Sequence, residues 1–454
     1  MNPITSREIA EILGTRVAAG DPDALAIGGV STDTRSLSRG AVFIALRGGH
    51  FDGAAFVPDA LGKGAAVVVT HQWDGEVPAG AAVIIVPDTL RALQKLAHWW
   101  RKQMDIPVVC ITGSNGKTST KDFTAAVLSR RYRVSATRGN YNNHIGLPLT
   151  VLATTPGHTA AVWEIGMNHS GELAPLCEIA RPKYGIITNI GTAHIEFLGS
   201  RDAIAEEKSM LARALPPEGF LFLPVSCDYH GYLRERTKAH LVPVGNGRGL
   251  VRAEDLHTDG TRSVFTLVIE GDGSARVTLP VPGRHMVTNA LLAAGVGWKL
   301  GVPVAEIAAG LSAASISGGR LHRRDCNGVC VIDDTYNANP ESMSAAIETL
   351  VETPVAQGAR RFAVLGRMGE LGIHAPAAHY QTGALAASRG LVVVAVGEGA
   401  EGIAEGAGGA PHFPDLAEAA AWLADEVKSG DAVLFKGSRS ATVEKVMNTA
   451  FPTH

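Results

Sequence analysis

Residues 106–120 read IPVVCITGSNGKTST. The apolar run at its start has no polar alternation, which is the pattern of a strand buried on both faces of a parallel sheet. A turn of small residues follows, Gly113, Ser114, Asn115 and Gly116, and then Lys117, Thr118 and Ser119 open a helix-forming stretch, TSTKDFTAAVLSRR. A helix N-terminus leaves backbone amides unpaired and carries partial positive charge. A phosphate fits there when no side chain stands in the way. Gly113 and Gly116 supply that clearance, Lys117 can reach β- and γ-phosphate oxygens, and the Thr118 hydroxyl can ligate Mg²⁺. The common phosphate loop has four residues between its glycines; here there are two, Ser114 and Asn115. The bland alternative is an ordinary glycine-rich strand–helix turn, but the strand before it and the lysine and threonine after it favour phosphate. The loop by itself does not separate a kinase, a switch GTPase, an ATPase and a ligase.

Working outward, the 454-residue chain is long enough for about two to four domains. Residues 1–86 alternate apolar runs, AVFIAL, AAVVVT and AAVIIVP, with turns. SREIAEIL near the start reads as a capped amphipathic helix. DTLRALQKLAHWWRKQ (88–103) reads as one helix opening on Asp88 and bridging to the next unit. Residues 87–315 repeat strand, turn and helix, with further strands in AVWEIG and YGIITNIG and a helix at 201–214. The stretch 220–282 is more β-like, and the helix HMVTNALLAAGVGWKLG follows it. Residues 316–454 hold the apolar runs VCVIDD, RFAVLG, LVVVAVG and AVLFKG with helices between them. The expected fold class is α/β in three domains: a small N-terminal α/β domain, a central phosphate-loop domain on a parallel sheet, and a C-terminal Rossmann-like domain.

Hydrophobic residues make up 46% of the chain and charged residues 19%, so a large core is expected and wholesale disorder is excluded. Net charge is −3 and the longest basic cluster is HRRD at 322–325, which argues against nucleic acid as a partner. The opening MNPITSREIAEILG has no basic start followed by an apolar core, so no secretory leader is expected, and nowhere do about 18 apolar residues run together. A soluble, cytoplasmic monomer is expected. Of the five cysteines, Cys326 and Cys330 flank an Asn-Gly step and are expected to face each other across a hairpin, as two small strand residues of a reducing compartment.

Three further places hold candidate chemistry. Glu164 lies inside the apolar run WEIG, and a buried carboxylate needs a cation or hydrogen-bond donors. His194 follows TNIGTA at the end of another strand; a structural histidine is the competing reading. In VIDDTYNANPESM (331–343) two acids, a tyrosine and two asparagines crowd one strand end. Asp and Asn are ordinary turn formers, yet such a cluster at a crevice edge could hold a ribose or base.

The sequence resembles the Mur ligase family nearly end to end. TGSNGKTST is similar to that family's short phosphate loop. GNYNNHIGLPLT (139–150), WEIGMNHSGEL (163–173) and DDTYNANPESM (333–343) resemble the member that acts on D-alanyl-D-alanine, and the DNPR string of a sister ligase does not occur. The resemblance implies an ATP- and Mg²⁺-dependent ligase that joins D-alanyl-D-alanine to UDP-N-acetylmuramoyl-tripeptide. Its first domain would bind the UDP-sugar, its second ATP, and its third would close over the nucleotide and the incoming amine. STDTRSLSRGAVFIALRGGHFDG resembles the UDP-binding segment, with Thr34, Arg35 and Asp52 at matching positions, and Asn143 is a further substrate-side residue. That segment is not expected in a folylpolyglutamate synthase, another sister. Glu164 matches a Mg²⁺ ligand and His194 a ligand of a second Mg²⁺. Lys208, in AIAEEKSML, matches a lysine the family carbamylates, where a cation becomes a metal-holding anion. Asn289 matches an adenine-side residue, Arg320 a phosphate-side arginine and Asp334 a ribose-side carboxylate, with Asn337 and Asn339 in the same nucleotide-side loop. Three positions depart from the family pattern: Met286 where Asn is frequent, Met210 where an acid is frequent, and Arg367 where Asp is usual.

Overall fold

The computed structural model describes residues 1–49 and 51–452. His50 of the UDP-like segment and the last two residues of the third unit lie outside the described residues. Strands gather into three main sheets. In the first unit Val30–Ser31, Val42–Ile44, Val67–Thr70 and Ala82–Ile85 run parallel, and Val17–Gly20 closes one edge antiparallel. The N-terminal helix Ser6–Leu13 is started by Thr5, which forms a reciprocal capping box with Glu8.

The helix Thr89–Lys102 joins the first unit to the second. Asp88 caps it by accepting the Arg91 N–H at 2.9 Å. Its apolar face buries Leu93, Leu96 and Trp100, and the Trp100 indole donates to the Thr154 carbonyl at 2.8 Å, so the helix is fixed to the central unit as well.

The central sheet orders its strands Gly273–Leu279, Ser263–Ile269, Val251–Thr258, His240–Asn246, Phe220–Pro224, Tyr184–Ile187, Val108–Thr112, Ala160–Glu164, Val134–Ala136. The last seven pair in parallel and the first three form an antiparallel extension. Val108, Val109, Cys110 and Ile111 are each fully buried, as the unbroken apolar run requires. Successive strands are laid to either side of Val108–Thr112, so the strand order reverses there, where open α/β sheets bind ligands.

The third sheet runs His322–Cys326, Val329–Asp333, Ala432–Lys436, Arg361–Gly366, Val392–Val396, His412–Phe413, parallel except for the first pair. That first pair is the expected hairpin, turning through Asn327 and Gly328, both with positive φ. The expected cysteine pairing is corrected. Cys326 pairs with Val329 and Cys330 with Asp325, so the two cysteines are one register position apart and project to opposite faces. All five cysteines are free thiols. No helix among the described residues is long and apolar enough to cross a membrane.

Replacing Asp88 with Ala removes the cap of the joining helix and is expected to cost about 1 kcal/mol. Unfolding followed by the fluorescence of Trp99 and Trp100, which ride on that helix, measures the loss.

Candidate active site around the phosphate loop

Gly113 (φ 148°) and Gly116 (φ 79°) bend the chain from the strand into the helix Lys117–Leu128. Neither position has space for a side chain. A Cβ on Gly113 would lie 1.8 Å from Thr188 Oγ1, and one on Gly116 would lie 2.7 Å from Asn289 Oδ1. No side chain caps this helix start. The Lys117 ammonium curls back to donate to the Gly113 carbonyl at 2.8 Å. Loss of water around it lowers its pKa, and the Glu164 carboxylate opposes that shift.

The loop is held from behind by residues that sequence reading did not select. The Asn189 side-chain oxygen accepts from the Ser114 and Asn115 amides at 3.1 and 2.9 Å. Thr188 donates to the Asn115 carbonyl at 2.5 Å, and Ser114 Oγ accepts the Gly191 amide at 2.8 Å. Two of the loop's amides are therefore occupied by protein, and the open amides are those of the helix start.

Glu164 ends its strand beside Ile111 and is 3% exposed. One carboxylate oxygen accepts from Thr118 Oγ1 at 2.8 Å, the other from Asn142 Nδ2 at 2.7 Å. Asn142 is the residue of GNYNNHIG that reaches this centre. Its neighbour Asn143 is exposed and accepts the Ile145 and Gly146 amides. Lys208 is 1% exposed on the helix Arg201–Ala214. Burial, and then the nearby Lys117 ammonium, lower its pKa well below the usual range. The adjacent Glu207, also buried, accepts the Gly171 and Leu173 amides and so fixes the loop that follows Glu164.

The third unit meets this loop through polar contacts. Arg320 donates to Thr118 Oγ1 at 3.1 Å and lies over the Tyr336 ring. Asn339 caps the helix Pro340–Glu352 and donates to Asn115 Oδ1 at 2.7 Å. Glu341 accepts from both the amide and the hydroxyl of Thr192 at 3.0 Å. His194 adopts a left-handed backbone (φ 65°), and its Nδ1 lies 2.6 Å from Glu370 Oε2. That contact holds the Glu370 carboxyl below its ordinary value. Asp334 is held by Lys436 at 2.6 Å and by the Leu321 amide; burial nonetheless raises its pKa. Lys436 also donates to the carbonyl of Asn337, whose side chain is exposed. His285 sits near Lys436, and burial pulls its pKa down to about 4.

The residues of the first unit stand apart from this cluster. Thr34 is buried and its carbonyl accepts from Lys63; Arg35 is exposed and paired with Asp33 at 2.6 Å. Asp52 caps a short turn by accepting the Ala54 amide. A cleft of about 810 Å³, lined by His98, Lys102, Arg181, Lys183 and Met210 among others, lies at the opposite ends of the strands from the phosphate loop. Ligands of open α/β sheets sit outside the C-terminal strand ends, so the loop marks the site and that cleft does not.

As for metal, no group of three or more His, Cys, Asp or Glu gathers among the described residues. The Thr118 hydroxyl and the Glu164 carboxylate are nonetheless hard oxygen donors, the kind that Mg²⁺ takes when phosphate oxygens and water complete its shell.

With this geometry in view, the chain compares with known proteins along its whole length. It is 35% identical, over 98% of both chains, to the UDP-N-acetylmuramoyl-tripeptide--D-alanyl-D-alanine ligase of Escherichia coli. The chain belongs to the Mur ligase family. The enzyme of the same name from Synechocystis is 38% identical over 93% of this chain and 91% of that one. Models of the Mur ligase family catalytic domain, the Mur ligase middle domain and the glutamate ligase domain match residues 26–101, 111–297 and 319–439. The crystal structure of MurF from Acinetobacter baumannii superposes with a TM-score of 0.91 at 33% identity, covering 99% of each chain. MurF from Thermotoga maritima in complex with ADP superposes at 0.82 and 28%, covering 93% of this chain and 96% of that one. This Mur ligase thus shares its three-domain α/β architecture with enzymes solved independently.

Removing Lys436 from this Mur ligase strands the buried Asp334 carboxylate. Lys436→Met is expected to destabilise the third unit by about 3–5 kcal/mol, and adding Asp334→Asn is expected to restore much of that. Denaturant unfolding of the two variants checks both the sign and the recovery.

Proposed function

We propose that this chain is the ADP-forming ligase that joins D-alanyl-D-alanine to the terminal carboxylate of UDP-N-acetylmuramoyl-tripeptide, giving the UDP-linked pentapeptide of peptidoglycan synthesis, ADP and phosphate. The observation that carries the reading is the end-to-end likeness to ligases of that name, with a phosphate loop whose lysine, threonine and buried glutamate stand together.

A carboxylate does not react with an amine, because its oxygen is a poor leaving group. One carboxylate oxygen therefore attacks the γ-phosphorus of ATP, ADP departs, and an acyl phosphate remains. The amine nitrogen of D-alanyl-D-alanine then attacks the acyl carbon and loses its proton. Phosphate leaves with the electrons of the broken C–O bond. Catalysis of this kind is positioning and charge neutralisation. Lys117 exchanges the Gly113 carbonyl for phosphate oxygens, the open helix start supplies further amides, and Arg320 adds a second cation beside Thr118. Thr118 and Glu164 would hold one Mg²⁺, and His194 with Lys208 as its carbamate a second; such ions neutralise charge on the transferring phosphoryl group. The lowered pKa of Lys208 favours the neutral amine that takes up carbon dioxide, and its carbamate would set an anion beside the Lys117 ammonium.

Taken as 1–86, 87–315 and 316–454, the units divide the work. Thr34, Arg35, Asp52 and Asn143 receive the UDP-sugar side. Gly113 to Ser119 with Asn289, Arg320, Asp334, Asn337 and Asn339 surround the nucleotide. Closure of the third unit keeps water from the acyl phosphate. We take the reaction, which draws on ATP, to run in the cytoplasm and in a monomer.

Phosphate release should require both UDP-N-acetylmuramoyl-tripeptide and D-alanyl-D-alanine. Turnover indifferent to the omission of either would reject the reading. Lys117→Ala is expected to abolish release. Lys208→Ala should be weak and partly restored by a small added carboxylate such as formate; no recovery at any concentration would count against the carbamate.

A further inference from the structure

One cation near the reacting centre has no carboxylate to answer it among the described residues. Arg367 stands at the C-terminal end of the strand Arg361–Gly366, on the crevice edge of the third sheet. Its guanidinium forms no ion pair among the described residues. Its one side-chain hydrogen bond there is Nη2 to Ser440 Oγ at 3.1 Å, and Ser440 lies 3.3 Å from Ser438 Oγ. The Ser438 amide donates to the Arg367 carbonyl at 2.9 Å, so the two strand ends share one rim. Gly399 closes the other side, where an added Cβ would lie 3.3 Å from Arg367 Cδ. An arginine fork flanked by two hydroxyls is the donor set that suits a carboxylate.

This rim is built rather than loose. His379, 6% exposed, accepts the Met368 amide at Nε2 (2.8 Å), and its Nδ1 meets the Ala375 carbonyl at 2.7 Å. With Nε2 accepting, Nδ1 carries the proton, and the neutral ring staples Met368, the residue after Arg367, to the helix Ala375–Ser388. Burial lowers the His379 pKa, which keeps that tautomer intact near pH 7. Three residues beyond Arg367 the same loop delivers Glu370 to His194. The loop thus runs from the reacting centre to an unanswered cation, all on the third unit, which is not the unit assigned to the UDP-sugar.

Resting on the reaction proposed above, we infer that Arg367, assisted by Ser440, binds the terminal carboxylate of the incoming D-alanyl-D-alanine and so orients its amine toward the acyl phosphate. A fully extended dipeptide spans only about 7 Å, so a loop that touches the centre at one point and offers a cation three residues away matches a dipeptide better than a longer acceptor. The carboxylates of the tripeptide are the competing occupants, and the test separates them.

Wild type and Arg367→Gln are compared with D-alanyl-D-alanine and with D-alanyl-D-alaninamide, which keeps the amine and removes the negative charge. Arg367 is exposed, so the variant should fold, and its melting temperature confirms this. Loss of a charged hydrogen bond is expected to raise the KM for the dipeptide roughly 10–100-fold, with the KM for UDP-N-acetylmuramoyl-tripeptide unchanged. The wild type should lose a similar factor on the amide, while Arg367→Gln should no longer distinguish acid from amide. Ser440→Ala should move the same KM in the same direction by less. Undiminished discrimination in Arg367→Gln, or a rise confined to the tripeptide KM, overturns the inference. A wild type that releases phosphate without either substrate overturns the reaction itself, so the two failures are distinguishable.

Discussion

Glu164 is a carboxylate with almost no water around it, and the central unit is arranged to satisfy it. Its two oxygens are taken by Thr118, the residue after the phosphate-loop lysine, and by Asn142, from the loop after a neighbouring strand. A buried charge without such partners would neutralise or unfold its surroundings. Meeting the requirement ties the helix start, the strand Ala160–Glu164 and the 139–150 segment into one body. Burial strips water from the Lys117 ammonium above it and from the Lys208 side chain beyond it, which lowers both pKa values; the Lys117 charge lowers that of Lys208 further.

The third unit reaches this body through short polar side chains at loop and helix-cap positions: Arg320, Asn339, Glu341 and Glu370. Each contact is of a kind that water can replace, unlike the apolar packing that joins Trp100 and Leu96 to the central unit. Apolar packing also joins the two units, since residues of both belong to one buried hydrophobic cluster that includes Ile195, Val281, Leu321, Met343 and Leu371. The first and second units are coupled by a buried helix; the second and third by apolar packing and by the hydrogen bonds around the phosphate loop.

Much of this was legible in the sequence, for physical reasons. Parallel strands buried on both faces must be unbroken apolar runs, so Val108–Thr112, Arg361–Gly366 and Ala432–Lys436 could be read directly. The phosphate loop announced itself because few residues other than glycine suit the backbone at 113 and 116. What escaped were residues whose role depends on which strand ends become neighbours. Asn189, Lys436 and Glu370 sit in ordinary-looking stretches and gain meaning only when the sheets place them beside the loop, Asp334 and His194. In NYNN nothing local tells Asn142 from Asn143, since the choice is set by the direction in which the chain leaves the sheet. The cysteine pair failed by one residue: a two-residue turn pairs 326 with 329, and the alternation of the pleat does the rest. Lys208 could not be singled out from charge or spacing. It emerged from family resemblance, and the structure then shows it fully enclosed.

The contact between Gly113 and Thr188 limits how this stretch can drift over generations. The hydroxyl of Thr188 fills the volume a side chain at 113 would need, and it bonds the Asn115 carbonyl. A larger residue at 113 demands a smaller one at 188, which frees that carbonyl and loosens the turn. A smaller residue at 188 alone opens a void behind the loop. The positive φ at 113 strains any side chain there whatever stands at 188, so no paired change rescues the turn, and a compound that gripped it would face a target with few escapes.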